Sequence, residues 1–127
     1  MDKKVLVVGG AGYVGGGTTE ALLTRNIPFA VYDNLTFENH YLKPVEFING
    51  DVRDHDKLKK ILPNYSHVIW LTALVGDGAC AINPAMTKII NQDAVEWLSQ
   101  NYDGRILYTS TCSVYGASDE PVNETSA

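Results

Sequence analysis

KVLVVGGAGYVGGG, residues Lys4 to Gly17, decides the fold. Its first half, Val5-Leu6-Val7-Val8, is a short, unbroken apolar run, the pattern of a strand buried on both faces of a parallel sheet. Glycines then stand at positions 9, 12 and 15, a GxxGxxG spacing at the passage from strand to helix. Each has its own physical task. Gly9 permits a tight turn, Gly12 lets backbone come close to a pyrophosphate, and Gly15 lets the helix press on the sheet. The helix N-terminus behind them favours negative charge. Tyr13 to Thr24 supplies that helix, with Val14, Ala21 and Leu22 expected to face inward, although Gly15-Gly16-Gly17 weaken its first turn.

Outward from this turn, strands and helices alternate. Phe29-Ala30-Val31-Tyr32 reads as a second strand ending at Asp33, and 34–44 as a polar loop or a broken short helix. Val45 to Ile48 reads as a third strand, and Asp54 as the cap of a helix running to Leu62. His67 to Leu71 is a fourth strand. Pro84 to about Asn101 is the longest helix, with Met86, Ile90, Ala94, Trp97 and Leu98 recurring at spacings of three and four. Arg105 to Tyr108 is a fifth strand, and the tail from Gly116 reads as an exposed loop. Such alternation predicts an α/β fold, a doubly wound parallel sheet of Rossmann type, with ligands at the carboxyl ends of the strands.

Asp33 supplies a second constraint at that edge. It ends the second strand eighteen residues after Gly15, near where a carboxylate accepts hydrogen bonds from the adenosine ribose. Together the two features predict dinucleotide binding. A carboxylate there repels a 2'-phosphate, so NAD is expected rather than NADP. Asp51 and Val52 end the third strand, where they either approach adenine or merely form a turn. Thr72, Ala73 and Leu74 give small or apolar groups after the fourth strand. Thr109, Ser110, Thr111, Cys112 and Ser113 put a cluster of small polar groups after the fifth.

Composition narrows the classes. Net charge is -5 and no dense run of Lys or Arg tracks a phosphate backbone, which argues against nucleic-acid binding. No stretch has the apolar length of a membrane span, the start lacks a signal-peptide pattern, and a cytoplasmic address is expected. Cys80 and Cys112 read as small fillers, and His40, His55 and His67 lack ligand spacing, so no metal site is expected.

Five blocks in order, GGAGYVGG, VYDNL, INGDVRD, WLTALVGD and TSTCSVYG, resemble the extended short-chain dehydrogenase/reductase family in its branch of NAD-dependent nucleotide-sugar epimerases and dehydratases. The resemblance runs from Lys4 to about Thr125. It implies that Gly9, Gly12, Tyr13, Val14 and Gly15 hold the pyrophosphate. It assigns Asp33, Asn34 and Leu35 to the ribose, and Asp51 and Val52 to adenine. Leu71, Thr72, Ala73 and Leu74 would run along the cofactor, with Thr109 and Ser110 on the same edge. Asn91 would match an asparagine that orients the active site, and Thr111 the catalytic hydroxyl. Trp70 and Thr72 depart from the family pattern, which more often has His and Ala.

The family also implies a catalytic Tyr with a Lys four residues later, a nucleotide-sugar substrate and a homodimer through the long helix together with the helix that carries the catalytic pair. After Thr111 the only tyrosine is Tyr115, and residue 119 is Asp. The 127 residues are therefore expected to be a partial domain, truncated after the fifth strand and inactive alone. A standalone non-catalytic dinucleotide-binding module and an NADP-dependent reductase of the same superfamily are the alternatives.

Overall fold

The computed structural model describes residues 3–35, 41, 43–74, 81–111 and 116–125. His40, Cys80, Cys112 and the segment Ser113 to Tyr115 lie outside the described residues. The sheet has five parallel strands in the order β3-β2-β1-β4-β5, with β1 at Val5–Val8, β2 at Phe29–Asp33, β3 at Glu46–Asn49, β4 at His67–Trp70 and β5 at Arg105–Tyr108. β1 lies at the centre and all four of its residues are buried, as the unbroken apolar run requires. Strand order reverses beside it: β2 and β3 lie on one side, β4 and β5 on the other. That is the switch point at which parallel sheets open a crevice.

Helices cover both faces. α1 (Tyr13–Thr24) covers the face of Val5 and Val7 through Leu22, with Ile27, Phe29, Ile69 and Leu71 packed around them. α2 (His55–Ile61) and the carboxyl-terminal part of the long helix cover the other face. There Leu58, Ala94 and Leu98 pack with Leu6, Val8, Tyr32 and Trp70. Asp54 caps α2 as expected, its carboxylate accepting from the Lys57 N–H at 3.1 Å. β5 closes the described sheet on one side, and Leu107 and Tyr108 on it are about half exposed.

Three expectations are corrected. Val14 does not face inward; it is 59% exposed, while Gly15, Thr19 and Leu22 are the buried positions of α1. The contact of Gly15 with Gly10 sets the helix rotation and turns Val14 toward the strand-end crevice. Thr19, fully buried, escapes a polar penalty because its hydroxyl donates to the Gly16 carbonyl at 3.1 Å and accepts from Lys43 Nζ at 2.8 Å. The long helix is not uniform: α3 (Pro84–Lys88) passes through a π-helical segment, Ile89–Asp93, into α4 (Ala94–Asn101). β3 begins and ends one residue later than the apolar pattern indicated.

Candidate functional site

A cavity of about 510 Å³ lies across the carboxyl ends of β1, β2, β3 and β4. Gly9, Gly12, Tyr13, Val14 and Gly15 wall it from the β1–α1 turn. Asp33 and Asn34 wall it from β2, and Asp51 and Val52 from the loop after β3. Leu71, Thr72, Ala73 and Leu74 continue the wall after β4. Thirteen of the residues singled out in the sequence thus share one groove.

The turn is built by steric exclusion. Gly9 has φ +85°, and a Cβ there would stand 2.7 Å from Thr72 Oγ1 and 2.8 Å from the Thr72 backbone nitrogen. Only glycine meets both conditions. Gly10 was not singled out, yet a Cβ on it would come 2.9 Å from Val31 Cγ1. At Gly12 an added Cβ would meet only the Gly9 carbonyl oxygen, at an ordinary 3.5 Å. The packing of the chain itself makes no demand for glycine there. α1 is capped at this residue with no side-chain cap bond and has no acidic residue in its first turn, so no side chain of the helix itself offsets its amino-terminal dipole.

Asp33 joins the turn to β2. Its Oδ2 accepts from the Ala11 N–H at 3.1 Å and its Oδ1 from the Leu35 N–H at 2.7 Å. Leu35 sits at φ +58°, a left-handed conformation that a leucine rarely adopts, and the bond to Asp33 helps hold it. Each oxygen keeps acceptor capacity, because a carboxylate offers about four acceptor positions.

At the β3 end, Asp51 is bound by Arg53 through the Arg53 N–H at 2.8 Å, Nε at 2.8 Å and Nη2 at 2.7 Å. The Arg53 hydrogen bonds hold the Asp51 carboxyl well below its ordinary 3.8, down to about 2, against the opposing effect of burial. The same pairing raises Arg53. Tyr32 donates to the Asp51 carbonyl at 2.7 Å, and burial, with Asp54 and Asp51 nearby, raises its phenol. Tyr32, Gly50, Arg53, Met86 and Ile90 also line the cavity and were not among the candidate site residues; Met86 and Ile90 stood out only as positions of the long helix's apolar repeat. Arg53 carried a signal in its place two residues after Asp51, but the ion pair appears only when the loop turns back.

Other candidate residues stand apart from the wall. Asn91, within the π-helical segment, accepts from the Leu74 N–H at 2.8 Å and donates to the Leu74 carbonyl at 2.8 Å. It clamps the chain after β4 rather than lining the cavity. Leu35, Thr109, Ser110 and Thr111 do not line it either. The Thr109 hydroxyl donates to the Trp70 carbonyl at 3.3 Å, so part of the hydroxyl cluster satisfies a strand end. Trp70 itself is fully buried, and among the described residues its indole nitrogen has no partner. No three His, Cys, Asp or Glu side chains converge among the described residues, and no described helix is long and apolar enough to cross a membrane.

A parallel sheet in this order, with a glycine turn and an acidic strand end facing one switch-point crevice, defines a Rossmann-type fold. The chain belongs to the NAD dependent epimerase/dehydratase family, whose model matches residues 5–127. It is 30% identical over 132 residues to the UDP-glucose 4-epimerase of Rhizobium meliloti, covering 98% of this chain and 40% of that protein. Its structure is similar to that of UDP-glucose 4-epimerase from Brucella ovis in complex with NAD, at a TM-score of 0.83 and 29% identity, covering 99% of this chain and 41% of the other. The Thermus thermophilus UDP-glucose 4-epimerase complex with NAD gives 0.81 and 28%, covering 96% and 43%. The chain therefore spans about two fifths of the length of these relatives.

Proposed function

We propose that the groove binds NAD, and that the chain is the NAD-binding part of an enzyme that epimerises or dehydrates a nucleotide-activated sugar. The observation that carries this reading is the meeting around one cavity of an uncapped helix N-terminus, the glycine turn and Asp33. The residues present fit the cofactor. The first turn of α1 lacks a capping side chain and suits a pyrophosphate, and Gly12 leaves room for it where no protein atom needs the space. Asp33, with one N–H on each oxygen, keeps acceptor positions for two ribose hydroxyls and repels a 2'-phosphate. Adenine then falls toward Val52, and the nicotinamide end toward Leu71 to Leu74. The Brucella and Thermus relatives, at 29% and 28% identity, are complexes with NAD, which supports the same choice.

When bound, NAD supplies the hydride acceptor. The part of this chain's residues in the chemistry is positioning. Thr111, three residues after β5, would hold a sugar hydroxyl by hydrogen bonding, and Asn91 would fix Leu74 and with it the wall after β4. No tyrosine of the 127 residues is followed four residues later by a lysine. The chain by itself therefore lacks the base its family uses and does not turn over a sugar. Sugar recognition, catalysis and dimerisation belong to the whole protein.

Thermal unfolding with NAD and with NADP, on the starting protein and on Asp33→Ala, tests the reading. At one hundred times its dissociation constant, NAD should stabilise the chain by about 2.7 kcal/mol. Asp33→Ala should lose most of that response relative to its own unliganded midpoint, and NADP should give little. An NAD response that survives Asp33→Ala unchanged, or an equal response to NADP, refutes the reading.

A further inference from the structure

The sheet order fixes which part of the groove lies at which end. It runs from the chain after β4, past the β1 turn and Asp33, to the loop after β3, where Asp51, Val52 and Arg53 wall it. At that far end the Asp51 carboxylate is almost fully engaged. Oδ1 accepts from the Arg53 N–H and from Arg53 Nε, both at 2.8 Å. Oδ2 accepts from Arg53 Nη2 at 2.7 Å and from Asn34 Nδ2 at 3.4 Å. Three of about four acceptor positions thus belong to one arginine. The fourth holds a contact at the long limit of hydrogen bonding, which a better donor displaces at little cost. The arginine is fixed in turn, with Nη1 lying 3.3 Å from Met86 Sδ across the groove.

We propose that Arg53 is a specificity-determining positioning residue. By fastening Asp51 it presents one acceptor position, on Oδ2, to the base end of the groove, selecting a dinucleotide whose base offers an amino group over one that offers a carbonyl. The inference rests on the reading that the groove holds a dinucleotide. An ionised carboxylate only accepts hydrogen bonds. With the Asp51 carboxyl held down to about 2, no proton is available at neutral pH to donate to a carbonyl. The exocyclic amine of adenine satisfies the open position, whereas the 6-oxo group of hypoxanthine sets acceptor against acceptor. A loose carboxylate would rotate and admit water between them. The bidentate Arg53 fork, with the backbone N–H beside it, prevents that rotation. Arg53 acts through Asp51 and needs no contact with the base.

Calorimetric titration of NAD and of nicotinamide hypoxanthine dinucleotide into the starting chain, Arg53→Leu and Arg53→Lys tests this. The starting chain should prefer NAD by about tenfold or more, the worth of one hydrogen bond to a charged group. In Arg53→Leu that ratio should fall toward one. Arg53→Lys keeps the charge but not the fork and should lie between. An arginine that merely supports the loop would weaken both ligands together and leave the ratio unchanged. An unchanged ratio in Arg53→Leu, or equal binding of both ligands by the starting chain, overturns the inference while leaving NAD binding intact. If the starting chain binds neither, the dinucleotide reading itself fails. Should Arg53→Leu not fold, Arg53→Lys decides, and a ratio equal to that of the starting chain overturns the proposal.

Discussion

Gly15→Ala, set beside Gly16→Ala and Gly17→Ala, isolates the contact that docks α1 on the sheet. Helix propensity favours all three changes, by about 1 kcal/mol each in a helix interior. The surroundings do not treat them alike. A Cβ on Gly16 or Gly17 meets nothing within 4 Å, whereas one on Gly15 would lie 2.5 Å from the carbonyl carbon and oxygen of Gly10. To reach ordinary van der Waals separation, the two backbone segments must part by about 1 Å, and overpacking of this kind costs about 1–3 kcal/mol. After the propensity gain of about 1 kcal/mol, Gly15→Ala should lie between neutral and a destabilisation of about 2 kcal/mol, while Gly16→Ala and Gly17→Ala should each stabilise by about 0.5–1 kcal/mol. Urea unfolding, analysed for midpoint and slope, measures all three. In a thermal scan the shifts should be about 3–6 °C per kcal/mol for a domain of this size. A Gly15→Ala variant as stable as Gly17→Ala would refute the claim that Gly15 is set by steric exclusion against Gly10.

Two further outcomes follow from the site. Asn91→Leu removes both bonds to Leu74 and should cost about 1–3 kcal/mol, with faster amide exchange at Leu74; unchanged exchange there would show that Asn91 is no clamp. The Asp51 carboxyl is lowered in the folded chain, so its contribution to stability is complete above its ordinary value near 3.8. It is lost as pH falls through about 2. Between pH 4 and pH 2 the starting chain should lose stability more steeply than Arg53→Leu, modestly because the Asp51 and Arg53 side chains are 28% and 45% exposed and solvent screens the pair. Parallel acid transitions by circular dichroism would contradict this.

The parts of the fold that were legible in the sequence share one cause. Strands such as Val5–Val8 and His67–Trp70 are buried by their own apolar runs, and Asp54 announces its helix by a local bond to the Lys57 N–H. These are effects between near neighbours along the chain. The glycine turn and Asp33 were legible because their spacing alone carries the strand-turn-helix geometry. Val14 misled because an apolar residue in the first turn of a helix faces wherever the docking contact turns it, and that contact is between Gly15 and Gly10. Thr19 was missed as a buried residue because the lysine that satisfies it lies twenty-four positions away.

The order of apolar runs, glycines and acidic strand ends settled by itself that the chain forms a parallel sheet and pointed to the strand ends as its candidate site, since short-range sterics and hydrogen bonding act before any tertiary contact. Only the tertiary structure decided which side chains reach the groove. It tied Asp51 to Arg53, set Arg53 against Met86, gave Asn91 to Leu74 and returned Thr109 to a strand carbonyl. Three of these pairings join residues 17 to 39 positions apart, and even the close Asp51–Arg53 pair depends on how its loop turns. Their directions follow from how the layers dock, which periodicity in one dimension does not encode.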